Sequence, residues 1–152
     1  MKKNLDNKSL LKYSRQIILK DVGVIGQKKI INSKVLVIGA GGLGSPVIDL
    51  LARAGVGQIG VIEFDKISIS NIHRQTLYTS RDINKNKSQI LKRQLKLINN
   101  NIKLNIYNER ASDRNLIKIL PKFDVIVDGS DNFHTKFLLN KYSLKYLSLI
   151  HI

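Results

Sequence analysis

The ten residues VLVIGAGGLG, from Val35 to Gly44, constrain the fold of this chain more than any other segment. A short apolar run that ends in turn residues is typical of a buried parallel strand. The glycines allow a tight turn and a close approach of the backbone to a phosphate, and the N–H groups of a following helix would face that phosphate. The segment therefore predicts a strand, a phosphate-binding loop and a helix. The loop glycines are Gly39, Gly41, Gly42 and Gly44.

Predicted strands and helices alternate along the rest of the chain. The strands are expected at 34–38, 58–64, 103–107 and 123–128, and the helices at 9–20, 27–31, 42–54, 84–99 (capped by Asp82), 112–120 and from about 132. This alternation predicts an α/β fold: a Rossmann-like, doubly wound, mostly parallel sheet with an N-terminal helical extension. We expect the extension at 1–33 and the nucleotide-binding domain at 34–146.

Composition excludes several classes of protein. The chain has no cysteine, so disulfides, cysteine zinc sites and a thiol nucleophile are absent from these residues. Apolar runs are too short for a membrane span, and no secretory signal opens the chain, so the cytoplasm is the expected location. The net charge of +15 is spread from Lys2 to Lys145. It favours a solvated basic surface and acidic partners over a nucleic-acid-binding module, which remains an alternative.

An acidic residue stands where a nucleotide-binding fold places a ribose ligand. Glu63 follows Gly44 by 19 residues and lies at the end of the second predicted strand. A carboxylate there accepts hydrogen bonds from ribose hydroxyls, although a solvated strand end is the simpler alternative. These features fit an NAD-dependent oxidoreductase with a Rossmann fold as well as they fit an ATP-binding enzyme.

Further motifs separate these possibilities. They are Tyr13–Gln16 (YSRQ), Ser70–Gln75 (SNIHRQ), Lys87–Gln89 (KSQ) and Asp128–Asn132 (DGSDN), in this order around the glycine loop. Over residues 10–146 the ordered set resembles the ThiF/MoeB/HesA adenylyltransferases, which are relatives of the ubiquitin-activating enzymes.

The resemblance implies that ATP, with Mg²⁺, activates the C-terminal Gly-Gly carboxylate of a small ubiquitin-like sulfur carrier of the ThiS/MoaD type. That carboxylate is already ionised, so the reaction needs charge neutralisation and positioning more than a general base. Arg74 and Lys87 would bind phosphates, Asn71 would donate to the triphosphate and Asp131 would hold Mg²⁺. The other nucleotide-binding residues are the loop glycines, Glu63, Asp65, Ser70, Gln75 and Asn132.

The resemblance also implies a homodimer, because the family arginine that matches Arg15 reaches into the neighbouring subunit's site. Each residue alone has a simpler explanation. Arg15, Arg74 and Lys87 would be surface charges, and Asp131 would cap the last helix. Asp128 is expected to support the end of its strand rather than to bind metal.

The sequence departs from the family pattern in two places. Glu63 stands where the family usually has aspartate, and its longer side chain still reaches a ribose. The chain also ends early, so we expect the C-terminal part of the fold to be missing, together with the zinc ligands and catalytic cysteine that it carries in many members. Residues 147–152 do not resemble the next family strand. They are expected to be a non-native tail that leaves the fourth strand's edge open.

The motifs fit a thiamine-type and a molybdopterin-type sulfur carrier equally well.

Overall fold

Five parallel strands form one sheet in the order β3-β2-β1-β4-β5. The computed structural model describes residues 4–146 and 149–151. The strands are β1 Lys34–Ile38, β2 Gln58–Ile62, β3 Lys103–Tyr107, β4 Val125–Asp128 and β5 Leu149–His151. The central strand β1 pairs in parallel with β2 and β4, so Leu36 lies between Gly60 and Ile126. The predicted α/β fold with a parallel sheet is confirmed.

Helices cover both faces of the sheet. They are α1 Asn7–Lys12, α2 Ser14–Ile17, α3 Gly23–Asn32, α4 Gly44–Ala54, α5 Lys87–Ile98, α6 Asp113–Ile119 and α7 Phe133–Tyr146. Successive strand residues point to opposite faces. Val37 therefore packs with α4 and α5, including Ile48 and Leu91, whereas Leu36 packs with α6 and α7, including Leu116. The four apolar residues before the glycine loop thus contribute to two separate cores.

The N-terminal extension differs from the predicted helix at 9–20, because the helix is interrupted at Tyr13. Tyr13 is 5% exposed, and its ring packs so closely on Gly55 that no side chain would fit there. Its hydroxyl oxygen accepts a hydrogen bond from Asn99 Nδ2 at 3.1 Å. Burying this aromatic side chain redirects the chain between α1 and α2. The contact fixes the extension at the C-terminal ends of α4 and α5.

The connection from β2 to α5 also differs from its prediction. Asp82 does not cap α5, but closes the 3-10 turn Ser80–Asp82. Its buried carboxylate accepts hydrogen bonds from the Thr79 backbone N–H, the Thr79 hydroxyl and Arg93 Nη2, the last at 2.7 Å. Asn84 follows with φ of +66°, a left-handed conformation that ends helical geometry. The helix therefore begins only at Lys87, three residues later than predicted.

The glycine loop between β1 and α4 folds back tightly on itself. Gly39 has φ of +82°, which glycine adopts without strain. A Cβ on Gly44 would collide with the Gly39 carbonyl oxygen, and a Cβ on Gly129, in the loop after β4, would lie 3.1 Å from that same oxygen. These glycines therefore allow two loops to pack together at the carboxyl ends of adjacent strands.

The C-terminal expectation needs a correction. Leu149–His151 forms strand β5 and pairs in parallel with β4, with Val125 opposite Leu149 and Val127 opposite His151. The edge of β4 is therefore covered, because α7 returns the chain to that edge and the pairing satisfies backbone hydrogen-bonding groups there. Residues 147, 148 and 152 lie outside the described residues, and the non-native origin of 147–152 stays a prediction.

Two glycine substitutions test the loop packing. Gly44→Ala should lower the free energy of unfolding by about 1–3 kcal/mol or more, because its Cβ meets backbone that cannot move away. Gly41→Ala is the matched control, since its Cβ would approach only the Gln75 Nε2 atom, at 3.9 Å. Urea unfolding measures both variants. Equal stability of the two would contradict this packing.

The Asp82 carboxylate gives a pH-dependent prediction. Burial would raise the pKa of this carboxyl, but the hydrogen bonds from Thr79 and Arg93 outweigh burial and hold the pKa below its usual value. Its stabilising effect is therefore complete above the unfolded-state pKa of about 3.9 and is lost as the pH falls through the lower folded-state pKa. Asp82→Asn should cost about 1–3 kcal/mol of unfolding free energy at pH 7.

The control is Asp49→Asn, which removes a surface ion pair between Asp49 and Arg53. Such a pair is worth about 0.3–0.5 kcal/mol. Urea unfolding from pH 7 to pH 3 should show that the difference in unfolding free energy between the wild-type chain and Asp82→Asn becomes smaller at acid pH. A gap that stays constant over this range would show that the charge of Asp82 does not stabilise the loop.

Candidate active site

A cleft of about 970 Å³ opens at the carboxyl ends of the strands. Parallel strands end on the same edge of a sheet, so the loops that follow β1, β2, β3 and β4 meet there. The structure brings most of the predicted site residues to the cleft wall: Gly39, Gly41, Gly42, Glu63, Asp65, Asn71, Arg74, Gln75, Lys87, Asp131 and Asn132. Three predicted residues do not line it: Arg15, Gly44 and Ser70.

The glycine loop offers hydrogen-bond donors to the cleft. Within residues 4–146 and 149–151, the backbone N–H groups of Gly41 and Gly42 donate to no protein acceptor. The Arg74 side chain lies over Gly42, with its Cδ and Nε atoms 3.1 Å from where a Cβ would stand. Nη1 of Arg74 donates to the Ser70 carbonyl at 2.9 Å, which is how Ser70 contributes from outside the cleft. Unpaired amides beside a guanidinium are suited to an anion.

A second cation lies deeper in the cleft. Lys87 is the first residue of α5 and is 3% exposed, so it is not the surface charge that its sequence position alone would suggest. Its ammonium nitrogen lies 3.3 Å from Asp65 Oδ2 and 3.7 Å from Glu63 Oε2. A buried cation needs such partners to offset its desolvation. The Asp65 side chain is 52% exposed, so its carboxylate also faces solvent in the cleft.

Glu63 has a different environment from the one predicted for a ribose ligand. The residue is 4% exposed, and both carboxylate oxygens already accept protein hydrogen bonds. Oε2 accepts from the Ala40 N–H at 2.9 Å, and Oε1 accepts from the N–H groups of Phe64 and Asp65 at 2.8 Å each. Three backbone N–H groups and the nearby Lys87 ammonium therefore already engage this carboxylate. Asp65 is the carboxylate that remains accessible at this end of β2.

Tyr78 contributes to the glycine loop, although no sequence motif pointed to it. Its side chain is buried, and its hydroxyl donates to the Ala40 carbonyl at 3.2 Å. Burial, and then the negative charges of Glu63 and Asp65, raise the pKa of this hydroxyl. Tyr78 is therefore a neutral hydrogen-bond donor to the glycine loop at any pH near neutrality.

The loop after β4 contains one carboxylate that is bonded to the protein and one that is accessible in the cleft. Asp128 accepts hydrogen bonds from the Ser130 N–H and hydroxyl and pairs with Lys136 at 3.2 Å, which agrees with its predicted role at the strand end. Asn132 Oδ1 accepts from the Thr135 N–H at 2.9 Å and so caps α7, a position that the sequence left open to Asp131. Asp131 is exposed in the cleft, and its carboxylate makes no hydrogen bond or ion pair with the described residues.

The outer wall of the cleft holds residues that lie outside the sequence motifs. Arg110 lies over the ring of Phe64, with its guanidinium carbon 4.3 Å from the ring centroid. Phe64 is 41% exposed, and Glu109 and Ala111 lie beside this pair in the cleft wall. The position was foreseeable, because these residues follow the third predicted strand, but the stacked pair exists only in three dimensions.

Arg15 lies away from this cleft. It follows Tyr13, whose contact with Gly55 places it near the C-terminal end of α4, whereas the glycine loop precedes the other end. A helix of 11 residues is about 16 Å long. Arg15 therefore lies near the amino ends of the strands, whereas the glycine loop lies at their carboxyl ends. Arg15 is exposed and does not complete the site of its own chain.

The described residues contain neither a cluster of metal-ligating side chains nor a helix that could span a membrane. No group of three or more histidine, cysteine, aspartate or glutamate side chains is arranged there to hold a metal ion. In the same part of the chain, no helix is both long enough and apolar enough to cross a bilayer.

Known proteins with similar sequences include adenylyltransferases. The chain is 43% identical over 129 residues to a sulfur carrier protein adenylyltransferase of Thermus thermophilus, which covers 85% of this chain and 48% of the relative. It is 40% identical over 141 residues to a probable molybdopterin-synthase adenylyltransferase of Porphyra purpurea, covering 93% of this chain and 37% of the relative. The chain thus spans less than half the length of these curated relatives.

A solved structure gives the same result at the level of the fold. The crystal structure of Escherichia coli MccB with AMPCPP and MccA superposes with a TM-score of 0.81 at 31% identity, covering 91% of this chain and 43% of MccB. The ThiF family model matches residues 13–150, from Tyr13 of the extension into strand β5. The chain therefore belongs to the ThiF family.

Proposed function

We propose that this chain is the ATP-binding part of an adenylyltransferase that activates the C-terminal carboxylate of a small sulfur carrier protein. The observation that carries the proposal is the convergence of unpaired loop amides, Arg74, Lys87 and the free Asp131 carboxylate on one cleft. The names of the Thermus thermophilus and Porphyra purpurea relatives support a sulfur carrier as the substrate, and the latter favours a carrier of the molybdopterin type. The cytoplasm is the proposed location.

The cleft has the groups that this reaction needs. An oxygen of the carrier's carboxylate attacks the α-phosphorus of ATP, the new P–O bond forms, and the bond to the departing pyrophosphate breaks. The amides of Gly41 and Gly42 and the Arg74 guanidinium receive the phosphate charge. Lys87 adds a fixed positive charge, and Asp65 accepts hydrogen bonds from the ribose hydroxyls in place of Glu63. No general base is needed, because the attacking carboxylate is already ionised at neutral pH.

Asp131 is suited to hold Mg²⁺. Magnesium is commonly bound by one or two carboxylates together with substrate phosphates and water, rather than by a complete protein cage. This chemistry fits Asp131, an accessible carboxylate in the loop after β4, which packs beside the glycine loop. The ion, when bound, would neutralise charge on the phosphates.

The nucleobase would lie at the outer wall. Phe64 and Arg110 present a stacked, half-exposed surface at the end of β2 and β3, on the far side of Asp65 from the glycine loop. Flat π surfaces and guanidinium planes both stack on bases. The order of base, ribose and phosphates along the cleft would then follow the order of strands β3, β2 and β1.

A homodimer with shared sites is part of the proposal. Arg15 is exposed at the edge of the sheet opposite to its own cleft, so it can act on a nucleotide only from a neighbouring subunit. The extension and α4 also expose large apolar side chains that a second subunit could bury: Leu11, Ile18, Leu19, Ile25 and Leu50.

Exchange of radiolabelled pyrophosphate into ATP tests the reaction. The exchange should depend on a carrier protein that ends in Gly-Gly, and Arg74→Ala should abolish it, because the phosphate charge loses its guanidinium partner. Arg81→Ala is the control, since Arg81 is exposed outside the cleft. An absorbance change linked to NAD, without any exchange, would instead establish the oxidoreductase alternative.

Mixing inactive variants tests the shared site. Arg15→Ala and Arg74→Ala should each be inactive alone, whereas their mixture should recover part of the exchange activity. In a mixed dimer one site receives an intact arginine from each subunit. Size-exclusion chromatography with light scattering should show a dimer for both variants. Failure of the mixture to recover activity in proven mixed dimers would overturn the role of Arg15 in the neighbouring site.

A further inference from the structure

The backbone of Ala40, in the middle of the glycine loop, is held from two sides. Its N–H donates to Glu63 Oε2 at 2.9 Å, and its carbonyl oxygen accepts from the Tyr78 hydroxyl at 3.2 Å. Ala40 is fully buried, and Glu63 and Tyr78 are each 4% exposed. We propose that Glu63 and Tyr78 are positioning residues that hold the loop in the conformation that receives the phosphates of ATP. This inference rests on the proposed nucleotide-binding function.

The loop needs such support because of its composition. Four of the six residues from Gly39 to Gly44 are glycine, and glycine loses more conformational freedom on ordering than any other residue. At Ala40 both polar groups of the loop backbone are bonded to buried side chains. With Ala40 fixed, the N–H groups of Gly41 and Gly42 remain available to a ligand, and the entropy of ordering them is lost on folding instead of on binding.

The two anchors act from different parts of the chain. Glu63 also accepts hydrogen bonds from the N–H groups of Phe64 and Asp65, so one carboxylate joins the loop to the end of β2. Tyr78 comes from the long connection that also carries Arg74. Its raised pKa keeps the hydroxyl protonated, and it therefore remains a donor to the Ala40 carbonyl. The loop, the ribose side and the Arg74 segment are thereby held in one arrangement.

Substitution of Tyr78 by phenylalanine tests this role, with Tyr142→Phe as the matched control. Tyr142 is 5% exposed, and its hydroxyl donates to Asp113 at 2.6 Å, in α6 and away from the cleft. Each substitution removes a hydroxyl from a buried tyrosine. Titration calorimetry with ATP and with adenosine should show that Tyr78→Phe weakens ATP binding about three- to tenfold and leaves adenosine binding unchanged. Tyr142→Phe should change neither affinity.

Amide hydrogen exchange, followed by NMR on the nucleotide-free chain, is a second measurement that needs no ligand. Exchange at Ala40 should be faster in Tyr78→Phe than in the wild-type chain or in Tyr142→Phe, because the loop opens more often. Unchanged Ala40 exchange, or equal losses of ATP and adenosine affinity, would overturn the positioning role while leaving the proposed function intact. A folded wild-type chain that binds neither ligand would overturn both.

Discussion

The close packing of Gly44 on the Gly39 carbonyl is the constraint on which the rest of the molecule depends. It brings the start of α4 directly behind the end of β1, so the loop amides face outward and the helix lies on the sheet. Gly129 packs against the same carbonyl and brings the loop after β4 beside the first loop. Any side chain at Gly44 would separate these elements, and the two sides of the cleft would no longer face each other.

Buried charge organises the floor of this cleft. Lys87, Glu63 and Asp65 form a small group in which one nearly buried cation lies between two carboxylates. Removal of Lys87 would leave the buried Glu63 carboxylate without a nearby cation, which is costly, so these residues stabilise one another. The two carboxylates therefore differ: Glu63 is bonded to backbone N–H groups, whereas Asp65 remains accessible in the cleft.

Most of the fold was predictable because hydrophobic patterning is a local signal. The bounds of β1 and β3 match their predictions, and the alternation of strands and helices gave the parallel sheet. The errors have physical reasons. The helix at 9–20 is broken because Tyr13 is buried against Gly55, and α5 starts late because Asn84 is left-handed. Strand β5 was missed because its pairing with β4 depends on where α7 returns the chain.

The sequence by itself determined the family, the glycine loop and the set of charged residues around the cleft, because ordered motifs and chemical types can be read without coordinates. Only the tertiary structure decided which of these charges are accessible. In the folded chain Glu63 and Lys87 are buried, whereas Asp65 and Asp131 are exposed in the cleft. Arg15 lies at the opposite ends of the strands. Tyr78 and Arg110, which no motif indicated, lie at the glycine loop and in the cleft wall. Burial and hydrogen bonding arise between residues far apart in the chain, such as Ala40 and Tyr78, and no local pattern records them.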